Sequence, residues 1–177
     1  MVVVAVAAVL TNKGSDSRAT PTTTLDPSVA TAAGVASVGS KAPLFDLDGL
    51  HGGRVSLAQL RGQPVVVNFW ASYCFPCRNE FATFKNATTK YRAQGLHIVG
   101  ITFDDLTSDA RAFAKQQHAN WILADGGEGD PVGKAYGVRA LPQTIFIGRQ
   151  GTIIARYFGA PSAARFDSEV RRLLASA

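Results

Sequence analysis

Beyond residue 41, short apolar runs alternate with amphipathic stretches. This alternation is typical of a sheet that is covered by helices on its faces. Residues 65–70 are Val-Val-Val-Asn-Phe-Trp, which predicts a buried strand. Residues 76–94 carry apolar side chains near helical spacing, and residues 96–103 form a second apolar run. Together they predict a βαβ unit with a right-handed crossover and two parallel strands.

The remaining elements are shorter and are separated by turn residues. Residues 44–47 and 54–55 flank a glycine-rich turn, which predicts an N-terminal hairpin, and Ser56 is expected to cap a helix after it. The later elements are predicted in the same way: helices over 109–117 and 131–136, strands over 121–124, 144–147 and 152–158, and a final helix from near Ser162. The expected fold class is therefore α/β, with a central mixed sheet flanked by helices.

The first forty residues follow a different pattern. Residues 1–10 are uncharged and apolar, like part of a secretory signal or membrane anchor, although a membrane span needs about 20 such residues. We interpret them as a truncated leader; the alternative is the terminus of a cytosolic protein. Residues 11–40 are rich in Thr, Ala and Ser, which predicts a flexible linker. Residues 41–177 are expected to form one domain.

Composition excludes several classes of protein. The 177 residues suffice for one domain and an extension. Eighteen Lys and Arg against thirteen Asp and Glu give a net charge of +5, but no basic run exceeds the pair Arg171 and Arg172, so no nucleic-acid partner is expected. Two cysteines, Cys74 and Cys77, are too few for a multi-disulfide scaffold or a four-cysteine zinc site.

The cysteine pair lies between a predicted buried strand and a predicted long helix. A thiol at a helix N-terminus faces unpaired backbone N–H groups, which favour its thiolate, so Cys74 is expected to be the attacking residue. Pro76 fits the first helical turn, where its missing N–H has no cost. Cys77 lies one turn further in and is expected to resolve a mixed disulfide on Cys74. Redox exchange is therefore the preferred chemistry.

Three interpretations of the pair compete with redox exchange: a zinc site, an inert structural disulfide and two unrelated buried thiols. Zinc needs further ligands, and the three histidines are far apart in sequence: His51, His97 and His118. No metal and no cofactor other than the redox disulfide is therefore expected. An inert bridge across two residues closes a very short loop and contributes less stability than a long one.

Two separated segments make the chain resemble a known family. Residues 65–80 contain the strand and the Cys-Phe-Pro-Cys motif, and residues 137–147 contain Leu-Pro-Gln-Thr before an apolar run. Both are similar to the thioredoxin superfamily, in particular its TlpA/ResA branch of extracytoplasmic thiol-disulfide oxidoreductases, which are related to redoxins and AhpC/TSA proteins. The likeness extends over about residues 41–174. It implies a thioredoxin fold with an N-terminal hairpin and an inserted helix and strand within residues 104–138.

The resemblance also implies roles for residues around the cysteines. Pro142 corresponds to the cis-proline that faces the pair, and Leu141 would offer its backbone and an apolar side chain to a partner protein. Four residues near Cys74 are further candidates for substrate contact: Trp70, Tyr73, Phe75 and Pro76. Trp70 is as readily interpreted as part of the core.

Glu80 follows Cys77 by three positions, so both project from one face of the helix. In the ResA-like branch a glutamate at this position lies near the cysteines. A buried carboxyl there could exchange the proton of the resolving thiol if desolvation raises its pKa. The alternative is an exposed acid that complements the helix N-terminus. Asn68 replaces the buried aspartate of thioredoxin itself, which leaves Glu80 as the nearby acid.

The expected function is thiol-disulfide exchange with protein thiols or disulfides outside the cytoplasm, in the periplasm or on the outer face of the cell membrane. Phe75-Pro76 lacks the histidine of strong oxidants, which favours a reductant, with apocytochrome c as a candidate substrate and an upstream membrane electron donor. The protein would be secreted, or held at the membrane if the leader is complete. Three alternatives remain open: an oxidative-folding disulfide donor, a peroxiredoxin-type peroxidase and a copper-binding assembly factor.

Overall fold

The computed structural model describes residues 35–176. It contains seven strands: β1 (Asp46–Asp48), β2 (Arg54–Ser56), β3 (Val65–Trp70), β4 (His97–Thr102), β5 (Ile122–Ala124), β6 (Gln143–Ile147) and β7 (Ile153–Phe158). It also contains four α-helices: α1 (Phe75–Tyr91), α2 (Thr107–Gln116), α3 (Pro131–Ala135) and α4 (Ala163–Ala175). Two short 3₁₀ helices lie at Leu57–Leu60 and Arg92–Gln94. The predicted elements are therefore present, with bounds shifted by a few residues.

Five strands form a mixed sheet in the order β5-β4-β3-β6-β7. β3 is central: it pairs in parallel with β4 and antiparallel with β6, while β5 is parallel to β4 and β7 is antiparallel to β6. This arrangement confirms the predicted βαβ unit of β3, α1 and β4. The predicted hairpin is also present as a separate sheet of β1 and β2, and Leu50 N–H holds it to β5 through Leu123 O at 2.9 Å.

The core is divided between the two faces of the sheet, because successive side chains of β3 point to opposite sides. On one face, Phe81 and Phe84 of α1 pack edge-to-face with Trp121, at ring-centroid distances of 4.9 and 5.8 Å. On the other face, Phe69 contacts Tyr136 at 5.4 Å. Burying each such side chain contributes about 1.5–3 kcal/mol. The layer on the first face fixes α1 against the sheet. It thereby also positions residues 71–74 before the helix, which we call the cysteine loop.

Two details near the N-terminal hairpin differ from the prediction. Ser56 precedes the 3₁₀ helix Leu57–Leu60, but its side chain makes no capping hydrogen bond, so the predicted capping role is wrong. The packed part of the chain also begins ahead of residue 41. Ala36 is buried and its N–H donates to Ala135 O at 3.3 Å, while Gly39 N–H donates to Ile153 O at 2.8 Å.

The predicted leader, residues 1–10, and most of the predicted linker lie outside the described residues. Within residues 35–176, no helix combines the length and apolar composition that crossing a bilayer requires.

Candidate active site

Cys74 and Cys77 form a disulfide at the beginning of α1. Their S–S distance is 1.99 Å and their Cα atoms are 5.3 Å apart. Cys74 is the N-cap residue, and its Sγ accepts a hydrogen bond from the Cys77 N–H at 3.3 Å. Cys74 is 8% exposed and Cys77 is 1% exposed. The predicted position at the helix N-terminus and the predicted order of exposure are both confirmed.

The start of α1 favours charge on Cys74. The first N–H groups of a helix have no intrahelical partner and the N-terminus carries partial positive charge, so a thiolate at the N-cap is stabilised. Pro76 lies in the first turn, where no N–H is needed, as the sequence predicts. The geometry supports nucleophilic attack by Cys74 once the disulfide is reduced.

The peptide bond between Leu141 and Pro142 is cis, as the resemblance predicts. Gln143 pairs with Phe69, so continuation of that register puts Pro142 level with Trp70, where β3 ends and the cysteine loop begins. Leu141 is half-buried and Pro142 is buried. The structure therefore brings this predicted pair to the same end of the sheet as the disulfide.

Trp70 is not a surface residue. It is 1% exposed, and its ring packs against Phe81 at 5.0 Å and Phe113 at 6.0 Å between centroids. Its predicted contact with substrate is wrong, because the alternation along β3 turns it into the core below α1. The alternative interpretation, a core tryptophan, is correct.

Tyr73 and Phe75 flank Cys74 and are 61% and 74% exposed. Partial desolvation, together with the negative charges of nearby Asp104 and Asp105, raises the pKa of Tyr73, so its hydroxyl stays protonated. Two large exposed rings beside a disulfide offer apolar contact area to a partner polypeptide. Pro76 is exposed next to them.

Glu80 is buried one helical turn after Cys77. Desolvation raises its pKa from 4.5 to about 8. The polar side chains of Asn68 and Thr144 beside it act in the opposite direction and lower the pKa in part. These two side chains hydrogen-bond to each other at 3.1 Å, and within residues 35–176 neither carboxyl oxygen of Glu80 has a hydrogen-bond partner. The alternative of an exposed acid is therefore excluded. A carboxyl group that titrates near neutral pH can both accept and return a proton.

Asp105 braces the cysteine loop, and sequence reasoning missed it. Its carboxylate accepts hydrogen bonds from the backbone N–H and the hydroxyl of Ser72, and Arg78 Nε donates to Ser72 O at 2.9 Å. The carboxyl ends of adjacent parallel strands meet at one edge of a sheet. The position of Asp105 just after β4 was therefore a usable signal.

Phe158 is a second residue that sequence reasoning missed. It ends β7 and is exposed, and the next residue, Gly159, donates its N–H to Pro142 O at 2.8 Å. The register of β6 and β7 pairs Phe158 with Gln143, one position away from the cis-proline, and no local motif indicates this pairing.

Comparison with known proteins agrees with this geometry. The model of the AhpC/TSA family matches residues 38–156. The thiol-disulfide oxidoreductase ResA of Bacillus subtilis (strain 168) is 33% identical over 119 residues, which are 67% of this chain and 65% of that protein. The protein of the same name from Halalkalibacterium halodurans is 32% identical over 126 residues, 71% of this chain and 70% of that protein.

The chain belongs to the AhpC/TSA family, among the ResA-like members of the thioredoxin superfamily. A crystal structure from Chlorobium tepidum, assigned as a thiol:disulfide interchange protein DsbE, superposes with a TM-score of 0.73 at 32% identity and covers 78% of this chain and 99% of that one. The thioredoxin fold and the ResA-like relationship are thus confirmed. The protein is a thioredoxin-like thiol-disulfide oxidoreductase that carries a Cys74–Cys77 disulfide.

Proposed function

We propose that this ResA-like protein reduces disulfides of partner proteins outside the cytoplasm, with Cys74 as nucleophile and Cys77 as resolving thiol. The observation that carries the proposal is the disulfide at the N-terminus of α1, in which the more exposed sulfur, that of Cys74, caps the helix by accepting a hydrogen bond from the Cys77 N–H. The apolar leader and the resemblance to extracytoplasmic oxidoreductases support the location.

The exchange proceeds in two balanced steps. The Cys74 thiolate attacks one sulfur of a substrate disulfide, which forms a mixed disulfide and releases one substrate thiolate. The Cys77 thiolate then attacks Cys74 Sγ, which restores the Cys74–Cys77 disulfide and releases the second substrate thiolate. Two electrons pass to the substrate, and an upstream membrane electron donor of the dithiol class reduces the enzyme again.

Glu80 supplies proton transfer for the second step. Cys77 is buried, and a buried thiol resists ionisation because the thiolate loses its hydration. Glu80 lies one turn further along the same face of α1, and its pKa of about 8 is close to that of an ordinary thiol. Its carboxylate can therefore take the Cys77 proton during resolution and return it when the enzyme is reduced.

The exposed surface around the disulfide would bind the substrate. Tyr73 and Phe75 supply apolar area on one side of Cys74, and Leu141 supplies backbone groups next to Pro142. Because the dipeptide between the cysteines carries no positive charge, the reduced state of Cys74 gains less stabilisation than in strong oxidants, which favours reduction of substrates. Apocytochrome c before haem attachment is the substrate that we propose.

A trapping experiment tests this function. Cys77→Ser leaves Cys74 able to attack a substrate disulfide but removes the thiol that releases it, so mixed disulfides with extracytoplasmic proteins should accumulate on non-reducing gels. The adducts should disappear with dithiothreitol and in the Cys74→Ser, Cys77→Ser control. Apocytochromes among the captured proteins would support the maturation role, and many unrelated secreted proteins would indicate oxidative folding. Failure of the variant to capture any protein, with no activity of the intact enzyme on a model disulfide, would refute redox exchange.

A further inference from the structure

An apolar groove lies at the end of the sheet opposite to the disulfide. We call it the basal groove; Leu57 and Leu60 of the 3₁₀ helix, Val65 at the start of β3 and Ile147 at the end of β6 line it, and it holds about 360 Å³. Leu44, which is 44% exposed, stands at its edge. β3 is six residues long, so about 20 Å of strand separates the groove from the cysteine loop.

In the part of the chain that the structure describes, the charged side chains that line the basal groove are all cationic: Lys41, Arg61 and Arg149. Lys41 Nζ donates to Gln150 O at 2.8 Å, and Arg149 Nη1 donates to Gly62 O at 3.1 Å. Within residues 35–176, none of the three forms an ion pair with a carboxylate. Their positive charge is therefore not neutralised locally.

Arg92 lies at the same end of the molecule, because the 3₁₀ helix Arg92–Gln94 is followed by Gly95, which lies against Gln63 of the groove. The C-terminus of α4 approaches the turn at Gly148 through Ser176, and Arg172 in its last turn is ion-paired with Glu169 at 3.2 Å.

Five carboxylates lie at the opposite end, in the loops that follow β4 and β5: Asp104, Asp105, Asp125, Glu128 and Asp130. The disulfide end thus carries a group of carboxylates, whereas the charged residues described at the lining of the basal groove are cationic.

We infer that the basal groove docks on anionic lipid headgroups at a membrane surface, with the disulfide end directed away from the bilayer. A cationic rim attracts anionic headgroups, and an apolar floor accepts the hydrocarbon next to them. Among the described residues, no carboxylate lines the groove, so none of them opposes such contact by repulsion. This inference does not depend on the direction or substrate of the redox reaction.

Flotation of the 177-residue chain with vesicles tests the inference. We expect binding to vesicles of phosphatidylglycerol and phosphatidylcholine, weaker binding to phosphatidylcholine alone, and release in about 1 M salt. Arg61→Glu with Arg149→Glu should weaken binding to the anionic vesicles at least about tenfold. The matched control is Lys115→Glu with Lys134→Glu, which changes the net charge equally on exposed residues away from the groove and should retain most of the binding.

A further variant separates docking in the groove from general charge attraction. Leu44→Asn keeps every charge and alters an exposed side chain, and it should also weaken vesicle binding severalfold. Equal loss in both charge-reversed pairs, no effect of Leu44→Asn, or equal binding to both kinds of vesicle would each overturn the inference. Binding of oleate without binding of vesicles would do so as well. All variants should keep their activity on a model disulfide, so a failed redox function would be recognised separately.

Discussion

Cys74 and Cys77 have identical side chains in different surroundings. Cys74 caps α1 and is the more exposed sulfur, whereas Cys77 lies inside the first turn and is fully enclosed. Nucleophilicity depends on thiolate content and access, and both favour Cys74.

In the reduced protein near neutral pH, iodoacetamide should therefore label Cys74 ahead of Cys77. Peptide mass spectrometry after short exposure measures the ratio directly. The Cys74→Ser variant serves as control and should react slowly through Cys77. Faster labelling of Cys77 would reverse the assignment of nucleophile and resolving thiol.

Glu80 carries the second prediction at the scale of single residues. Its folded pKa of about 8 exceeds the ordinary 4.5, so the folded state binds this proton more tightly than the unfolded state. The unfolding free energy consequently falls as pH rises from about 4.5 to about 8 and is unaffected by Glu80 below that range. Glu80→Gln removes this loss, and it should stabilise the oxidised protein by up to about 3 kcal/mol at pH 7 and by almost nothing at pH 4.

The same variant should lose function while it gains stability. Without an ionisable group beside Cys77, resolution of mixed disulfides should slow, and the rate should lose its dependence on a group with a pKa near 8. Urea denaturation across pH and stopped-flow exchange kinetics measure the two effects. The exposed Glu128→Gln is the control. Unchanged stability and exchange rates across pH would show that Glu80 has no part in proton transfer.

From the sequence alone, the chemical role of single residues was easier to predict than the side chains that surround them in the fold. The spacing of Cys74, Cys77 and Glu80 follows from the helix repeat, so their shared face was predictable. The burial of Trp70 depends on which face of β3 meets α1, and Phe113 from a distant helix completes its contacts. Such long-range packing has no local signature.

At the scale of elements, periodicity predicted nearly every strand and helix because buried strands and amphipathic helices leave strong patterns. The contacts between elements were harder to predict from the sequence. The brace from Asp105 to Ser72 joins the loop after β4 to the loop after β3, 33 positions apart in sequence. It holds the segment that leads into α1.

Asp105→Ala should therefore loosen the cysteine loop. Two hydrogen bonds to one carboxylate are lost, and because each such bond contributes about 1.5–3 kcal/mol, the unfolding free energy should fall by at least about 2 kcal/mol. Thermal unfolding measures the loss, and hydrogen exchange should show faster exchange at Ser72. Glu128→Ala, in the exposed loop after β5, should change stability by less than about 0.5 kcal/mol. Equal effects of the two variants would contradict the role of the brace.

At the scale of the whole molecule, the packed part of the chain includes residues 35–40 ahead of the predicted domain start. Ile153 N–H donates to Ser40 O at 2.9 Å, and the side chain of Arg156 donates to Ala36 O. A composition rich in alanine and serine predicts a flexible linker up to residue 40. For residues 35–40 that prediction is wrong, because they hydrogen-bond to distant strands.

Two truncated chains test this boundary. A chain that begins at Val35 should keep the stability of the 177-residue chain, whereas one that begins at Lys41 should lose about 2 kcal/mol, because several backbone hydrogen bonds to β7 and α3 disappear. Urea denaturation of both chains measures the difference. Equal stability would place the start of the domain at residue 41 after all.

The same short segment has a consequence for association between copies of the chain. β7 is an edge strand of the sheet, and an open edge presents unpaired N–H and C=O groups to other polypeptides. Gly39 and Ser40 hydrogen-bond to the backbone C=O and N–H of Ile153, and Lys41 forms an antiparallel β-bridge with Thr152. The beginning of this edge is therefore already paired within the chain. Loss of residues 35–40 would thus expose a template for strand exchange between molecules, and the shorter chain should aggregate under conditions in which the longer one stays monodisperse.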